Sequence, residues 1–69
     1  MERVPVVSSN LAEIGYEGGI LEVAFKNGSV YQYDGVPVEV HAGLMAAPSH
    51  GQYLDRFIKK GGYVYRRIS

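Results

Sequence analysis

LAEIGYEGGILEVAFKNGSVYQY, residues 11–33, settles the architecture of the first half of the chain. Apolar and polar residues alternate through Leu11–Glu17, Ile20–Phe25 and Ser29–Tyr33, the period of a strand with one buried face. Gly18-Gly19 and Asn27-Gly28 separate the three runs, and both dipeptides tolerate the positive φ of tight hairpin turns. Two hairpins in series predict a three-stranded antiparallel meander. A two-residue Gly18-Gly19 turn sets Tyr16 opposite Leu21 and Ile14 opposite Val23. Directly opposed residues share a face. Ala12, Ile14, Tyr16, Leu21, Val23 and Phe25 are therefore expected on the core side, and Glu13, Glu17 and Glu22 on the other.

The Asn27-Gly28 turn admits two registers. A strict two-residue loop opposes Phe25 to Val30 and puts Tyr31 and Tyr33 beside Glu22, as a surface platform. A three-residue loop with a glycine bulge opposes Phe25 to Ser29 and puts both tyrosines with the core set. The second buries the larger apolar area and is the one expected.

Working outward, Arg3–Ser8 (RVPVVS) reads as an added strand that Pro5 confines to a sheet edge. On the other side, Pro37 has the fixed φ of a first helical position, and Val38–Ala47 carries Val40, Leu44 and Ala47 on one stripe. Gly43 weakens this helix by about 1 kcal/mol relative to Ala, and Pro48 ends it. Ser49 and Gln52 have capping-box spacing, so a second helix is expected from His50 to Lys59 or Lys60. Tyr53, Leu54, Phe57 and Ile58 form its apolar stripe, and Gly61-Gly62 its C-terminal cap. Tyr63–Arg67 alternates again and reads as a last strand. The expected fold is α+β, a three- to five-stranded antiparallel meander packed on one face by two short helices, in one domain over residues 1–69.

Length and composition set limits. A chain of 69 residues buries only about 60% of its unfolded surface, and its core supplies roughly 3–5 kcal/mol. There is no cysteine, hence no disulfide or thiolate metal site, which suits a reducing compartment. Apolar residues make up 46% of the chain, too many for a disordered one. No apolar run approaches the roughly 20 residues of a membrane helix, and the first residues lack the core of a signal peptide. A cytoplasmic protein with no membrane partner is expected.

The formal net charge is zero, but its distribution is uneven. Residues 1–55 hold two basic and seven acidic side chains, a balance of −5, whereas residues 56–69 hold Arg56, Lys59, Lys60, Arg66 and Arg67 and no acid, a balance of +5. Such a segment is either a solvated tail or a polyanion-facing end. Gln52, Arg56 and Lys59 or Lys60 share the solvent face of the second helix, and Arg66 and Arg67 are expected to extend the patch.

Catalytic chemistry finds no foothold. His41 and His50 begin different helices and have no cysteine or H-x-x-x-H partner, so no metal site is expected. Ser49 and His50 are sequence neighbours, which diverge by about 100° on a helix. Neither Gly-Gly pair has the strand-to-helix flanks of a phosphate loop. No cofactor is expected.

The order of signals is also informative. V-S-S at Val7–Ser9, I-G-Y at Ile14–Tyr16 and L-x-V-x-F at Leu21–Phe25 come first. Gly28, Y-x-Y at Tyr31–Tyr33 and V-P at Val36–Pro37 follow, then A-x-S-x-G at Ala47, Ser49 and Gly51, and a closing Ile58, Tyr63 and Arg66. This series resembles the KTSC domain over nearly the whole chain. That domain is found at the C-terminus of some lysyl-tRNA synthetases and as short stand-alone bacterial and phage proteins. The resemblance implies an accessory role and an RNA partner. Two functions are accordingly expected as alternatives. One is a small non-enzymatic module binding RNA or another polyanion, weakly and with strong salt dependence, through Arg56, Lys59, Lys60, Arg66 and Arg67. The other is a protein-interaction or self-associating module.

Overall fold

The computed structural model describes residues 1–69. Five strands, β1 (Arg3–Pro5), β2 (Leu11–Glu17), β3 (Ile20–Phe25), β4 (Val30–Tyr33) and β5 (Tyr65–Arg67), form one antiparallel sheet in sequence order. Between β4 and β5 the chain forms helix α1 (Val38–Ala46) and helix α2 (His50–Tyr53), and α2 runs on into a π-helical segment (Leu54–Lys59). The long connection thus returns β5 to the free edge of β4.

Turn chemistry sets the register. Gly18 and Gly19 both take positive φ, +57° and +79°, and Tyr16 pairs with Leu21 and Ile14 with Val23, as expected from a two-residue loop. At the next turn Gly28 adopts φ +94°, the Phe25 N–H donates to the Ser29 carbonyl and the Gly28 N–H to that of Phe25. This is the bulged three-residue loop. It pairs Leu21 with Tyr33 and Val23 with Tyr31, so both tyrosines share the side of the core.

One register detail differs from the sequence reading. A bulge between Leu11 and Glu13 lets Leu11, not Ala12, stand opposite Phe25. Leu11 is fully buried and Ala12 only half-buried. The extra residue turns the strand's larger apolar side chain inward.

The core lies between one sheet face and the helices. Leu11, Ile14, Leu21, Val23 and Tyr33 meet Val36, Leu44, Leu54 and Ile58, all 3% exposed or less. Burying each leucine or isoleucine contributes about 1.5–3 kcal/mol. Pro37 precedes α1 as its N-cap, with ψ 152°, rather than opening the helix. Ser49 caps α2 as expected, its Oγ accepting from the Gln52 N–H at 3.3 Å. The expected second helix is present, but its C-terminal half is wound more loosely. Leu54 and Ile58 point inward, while Phe57, expected in the buried stripe, is 48% exposed. The edge strands are shorter than expected, Arg3–Pro5 and Tyr65–Arg67. No helix is long and apolar enough to cross a membrane.

Candidate functional site

Strand alternation decides where the C-terminal cations go. Arg66 pairs with Gln32, which pairs with Glu22, so all three project from the face away from the helices. There the residues knit into a polar row. Arg3 contacts Glu13 at 3.3 Å and Glu22 at 3.5 Å, Gln32 Nε2 donates to Glu22 at 2.8 Å, and Arg66 donates to Gln32 at 3.0 Å and Asp34 at 2.5 Å. Arg66 is thereby engaged on an acidic surface.

The remaining cations lie elsewhere. Arg56 and Lys60 line a polar groove of about 720 Å³ together with Ser9, Asn10, Gln52 and Asp55. Lys60 reaches Asp55 at 3.6 Å, and Arg56 has no ion pair. Lys59 takes a third direction, its ammonium 5.3 Å from the centre of the Phe25 ring. Arg67 pairs with Tyr31 and so stands on the helix-bearing face. The five cations thus do not form one patch, and Arg66 is separated from the rest by the thickness of the sheet.

What the sheet does assemble is an aromatic groove. The helices cover the middle of the core face and leave its β4–β5 margin open. Phe25, Asn27, Ser29, Tyr31, Tyr33, Lys59 and Tyr65 line a space of about 430 Å³. Phe25 and Tyr31 meet edge to face at 5.9 Å, and Tyr65 lies 6.2 Å from Tyr31 and 5.8 Å from Tyr33, spacings at which aromatic pairs attract. Tyr33 is buried, Phe25 and Tyr31 are half-buried, and Tyr65 is 63% exposed. Burial holds the Tyr33 hydroxyl above the ordinary tyrosine pKa, with Tyr31 and Tyr65 adding to the shift. The floor is therefore neutral phenol, the walls are rings with accessible faces, and Lys59 supplies positive charge at the rim, with Arg67 on the same face of the sheet opposite Tyr31.

The sequence reading treated the tyrosine pair as either core or platform. The structure makes Tyr33 core and Tyr31 part of a groove wall, and Tyr65 is what completes the groove. The available signal was the alternation of Tyr63–Arg67, which puts Tyr65 and Arg67 on one face of a strand; the pairing of Tyr65 with Tyr33 and of Arg67 with Tyr31 makes that the groove face.

The histidines take structural positions. His41 stacks on Tyr16 at 4.3 Å, with planes 7° apart, and burial lowers its pKa. The Tyr16 hydroxyl donates to the Val36 carbonyl at 2.5 Å. His50 Nδ1 lies 2.8 Å from the Leu44 carbonyl, and since a carbonyl oxygen only accepts, Nδ1 carries the proton and donates. No group of three or more His, Cys, Asp or Glu side chains is placed to hold a metal ion.

Comparison with known proteins agrees with this fold. The model of the KTSC domain matches residues 7–68. A KTSC domain protein from Yersinia pestis, solved by crystallography, superposes with a TM-score of 0.87 at 41% identity, over 99% of this chain and 97% of that one. A protein of Stutzerimonas stutzeri (strain A1501) is 43% identical over 99% of both chains. The lysine–tRNA ligase of Trichormus variabilis is 47% identical over 71% of this chain, a stretch that makes up 9% of that ligase. The chain belongs to the KTSC domain family.

Proposed function

We propose that the chain is a small non-enzymatic accessory module that binds single-stranded RNA in the aromatic groove. The observation that carries this reading is the open arrangement of Phe25, Tyr31 and Tyr65 with Lys59 at its edge. Non-specific single-strand binders combine stacking rings with flanking cations, and every base has a face to offer. The occurrence of a similar segment within a lysine–tRNA ligase supports an RNA ligand. The acidic row on the opposite face disfavours phosphate there, which leaves the groove side.

The test is titration of a fluorescent single-stranded RNA oligonucleotide at several salt concentrations. Removing one stacking ring costs about 1–3 kcal/mol, so Tyr65→Ala, at an exposed position, should weaken binding about 5- to 150-fold. Two phosphate contacts, through Lys59 and Arg67, give a slope of log K against log salt of about −1.4. Engagement of all five cations would give about −3.5. Absence of binding at low salt, or a Tyr65→Ala variant that binds as tightly as the parent, would overturn the reading.

A second reading, protein interaction, is favoured by the apolar side chains left exposed at both sheet edges: Val4 and Val7 on one side, Val64 and Ile68 on the other. Capture from a lysate with and without nuclease separates the two, since only an RNA-borne partner is lost on nuclease treatment.

A further inference from the structure

The two edges of the sheet are not equivalent. In β1 the Val6 N–H donates to the Ala12 carbonyl and Val4 pairs with Ile14 in the same phase, so Arg3 and Pro5 turn their backbone groups to the free edge. Pro5 has no N–H to offer there. In β5 the Val64 carbonyl accepts from the Asp34 N–H, and the Ile68 N–H donates to the Val30 carbonyl. Val64, Arg66 and Ile68 therefore bond toward β4, and the N–H and C=O groups of Tyr65 and Arg67 point outward from the sheet edge. Every residue of β5 is exposed, and Val64 and Ile68 on either side of it are 69% and 47% exposed. An open edge that carries apolar side chains is a template for a further strand.

We infer that this edge pairs with β5 of a second copy of the chain, antiparallel about a two-fold axis at Arg66. The strand is self-complementary in that register. Tyr65 stands opposite Arg67 of the second copy on the groove face, ring beside guanidinium. Val64 stands opposite Ile68 of the second copy on the other face, so each exposed apolar side chain is covered by another. The two Arg66 side chains meet on the axis, but each donates to its own Asp34 at 2.5 Å and Gln32 at 3.0 Å, and the four charges balance. The neighbouring registers are worse. Centring on Arg67 opposes two arginines that have no acidic side chain in contact. Centring on Tyr65 requires Gly62 and Tyr63 to extend the strand, whereas Gly62 turns with φ +81° and Tyr63 packs against the core. Pro5 keeps β1 from serving as the partner edge, so the assembly closes as a pair instead of growing head to tail. The pairing does not depend on what the aromatic groove binds.

A strand pair this short belongs to the low end of interface sizes, under about 1,200 Å², and its association is weak. The experiment is sedimentation equilibrium of the full chain up to about 1 mM, the range of weak dissociation constants, with two cysteine variants to read the register. The chain has no cysteine of its own. Residues on the axis form a non-hydrogen-bonded pair with Cα atoms about 4.5 Å apart, within disulfide reach. The two copies of residue 64 lie four positions out of step, about 13 Å along the strand, beyond that reach. The expected result is an average mass that climbs toward twice the monomer value, and a disulfide dimer in oxidised glutathione for Arg66→Cys but not for Val64→Cys. Arg67→Pro removes only an outward N–H, so it should keep its circular dichroism and lose the concentration dependence. The cysteine variants decide alone if the proline variant does not fold. A parent that stays monomeric at about 1 mM, equal cross-linking of the two cysteine variants, or undiminished association of a folded Arg67→Pro would overturn the inference.

Discussion

Replacing Gly43 with alanine tests the packing of α1 against α2 in a case where local propensity and tertiary structure give opposite signs. In an exposed helix interior, Gly→Ala stabilises by about 1 kcal/mol. In this fold a Cβ at position 43 would overlap the Tyr53 hydroxyl and come within 2.7 Å of its ring carbon Cζ. Ordinary carbon–carbon contact is about 3.5–4.0 Å, so the Tyr53 ring must retreat by about 1 Å to make room. It cannot do so freely, because it is half-buried and packs on Phe57 with centroids 4.6 Å apart. Overpacking of this kind costs about 1–3 kcal/mol. The net expectation is destabilisation by about 1 kcal/mol, or a melting temperature lower by about 4–8 °C for a domain of this size. The control is the same substitution made on Tyr53→Leu, which shortens the side chain while keeping apolar contact. There Gly43→Ala should regain the stabilisation of about 1 kcal/mol that propensity alone supplies. Thermal and urea denaturation of the four proteins closes the cycle, with a coupling of about 2 kcal/mol. If Gly43→Ala stabilises the parent as much as it stabilises Tyr53→Leu, the steric argument fails.

Two further substitutions probe other parts of the structure. Ser49→Ala removes the cap accepted by the Gln52 N–H and should cost about 1 kcal/mol in urea denaturation, while Ser49→Asp, which retains a cap acceptor, should not. His41 provides a pH test: burial holds its folded-state pKa below the ordinary 6.5, so as pH falls the unfolded chain takes up the proton first. Stability is therefore full above pH 6.5 and declines as pH drops from there toward the lower folded-state value. His41→Phe keeps a ring on Tyr16 and should flatten that decline between neutral pH and the onset of carboxylate titration; an equally steep decline in the variant would assign it to other groups.

Much of the fold was legible because two glycine-containing turns fixed three strands. The Gly18-Gly19 loop set one register, and the choice at Asn27-Gly28 followed from asking which pairing buries more apolar area. Applied to Leu11 and Ala12, the same question would have exposed the β2 bulge. Strict alternation counted back from Tyr16 selects Ala12, and only the greater apolar area of Leu11 argues for a skipped residue. The π-helical segment was hidden for a different reason. An apolar stripe is read on the assumption of 3.6 residues per turn, and that assumption places Phe57 inside with Leu54 and Ile58. Looser winding keeps Leu54 and Ile58 in line and lets Phe57 turn outward to 48% exposure. The aromatic groove depends on β5 lying beside β4, a contact between segments separated by two helices, and no local pattern specifies that neighbour.

The charge map shows how such a contact changes a functional argument. Counted along the chain, residues 56–69 carry an excess of five positive charges, which suggested a continuous basic surface. Folding spends part of that excess internally: β5 carries Arg66 across to Asp34 and Gln32, and Lys60 pairs with Asp55. Exposed pairs of this kind are worth little to stability, typically about 0.2–1 kcal/mol, yet they lower the local potential a polyanion would meet. Arg66 and Arg67 are adjacent in a strand and must point to opposite faces, so they could never have served one patch. What remains unspent is Arg56 in the polar groove, Lys59 over the Phe25 ring, and Arg67, which stands opposite Tyr31 in the strand pairing. A ligand held in the aromatic groove gains from stacking at least as much as from charge. Its binding should therefore be less salt-sensitive than the sequence charge implies, and more sensitive to the loss of Tyr65 than to the loss of any single cation.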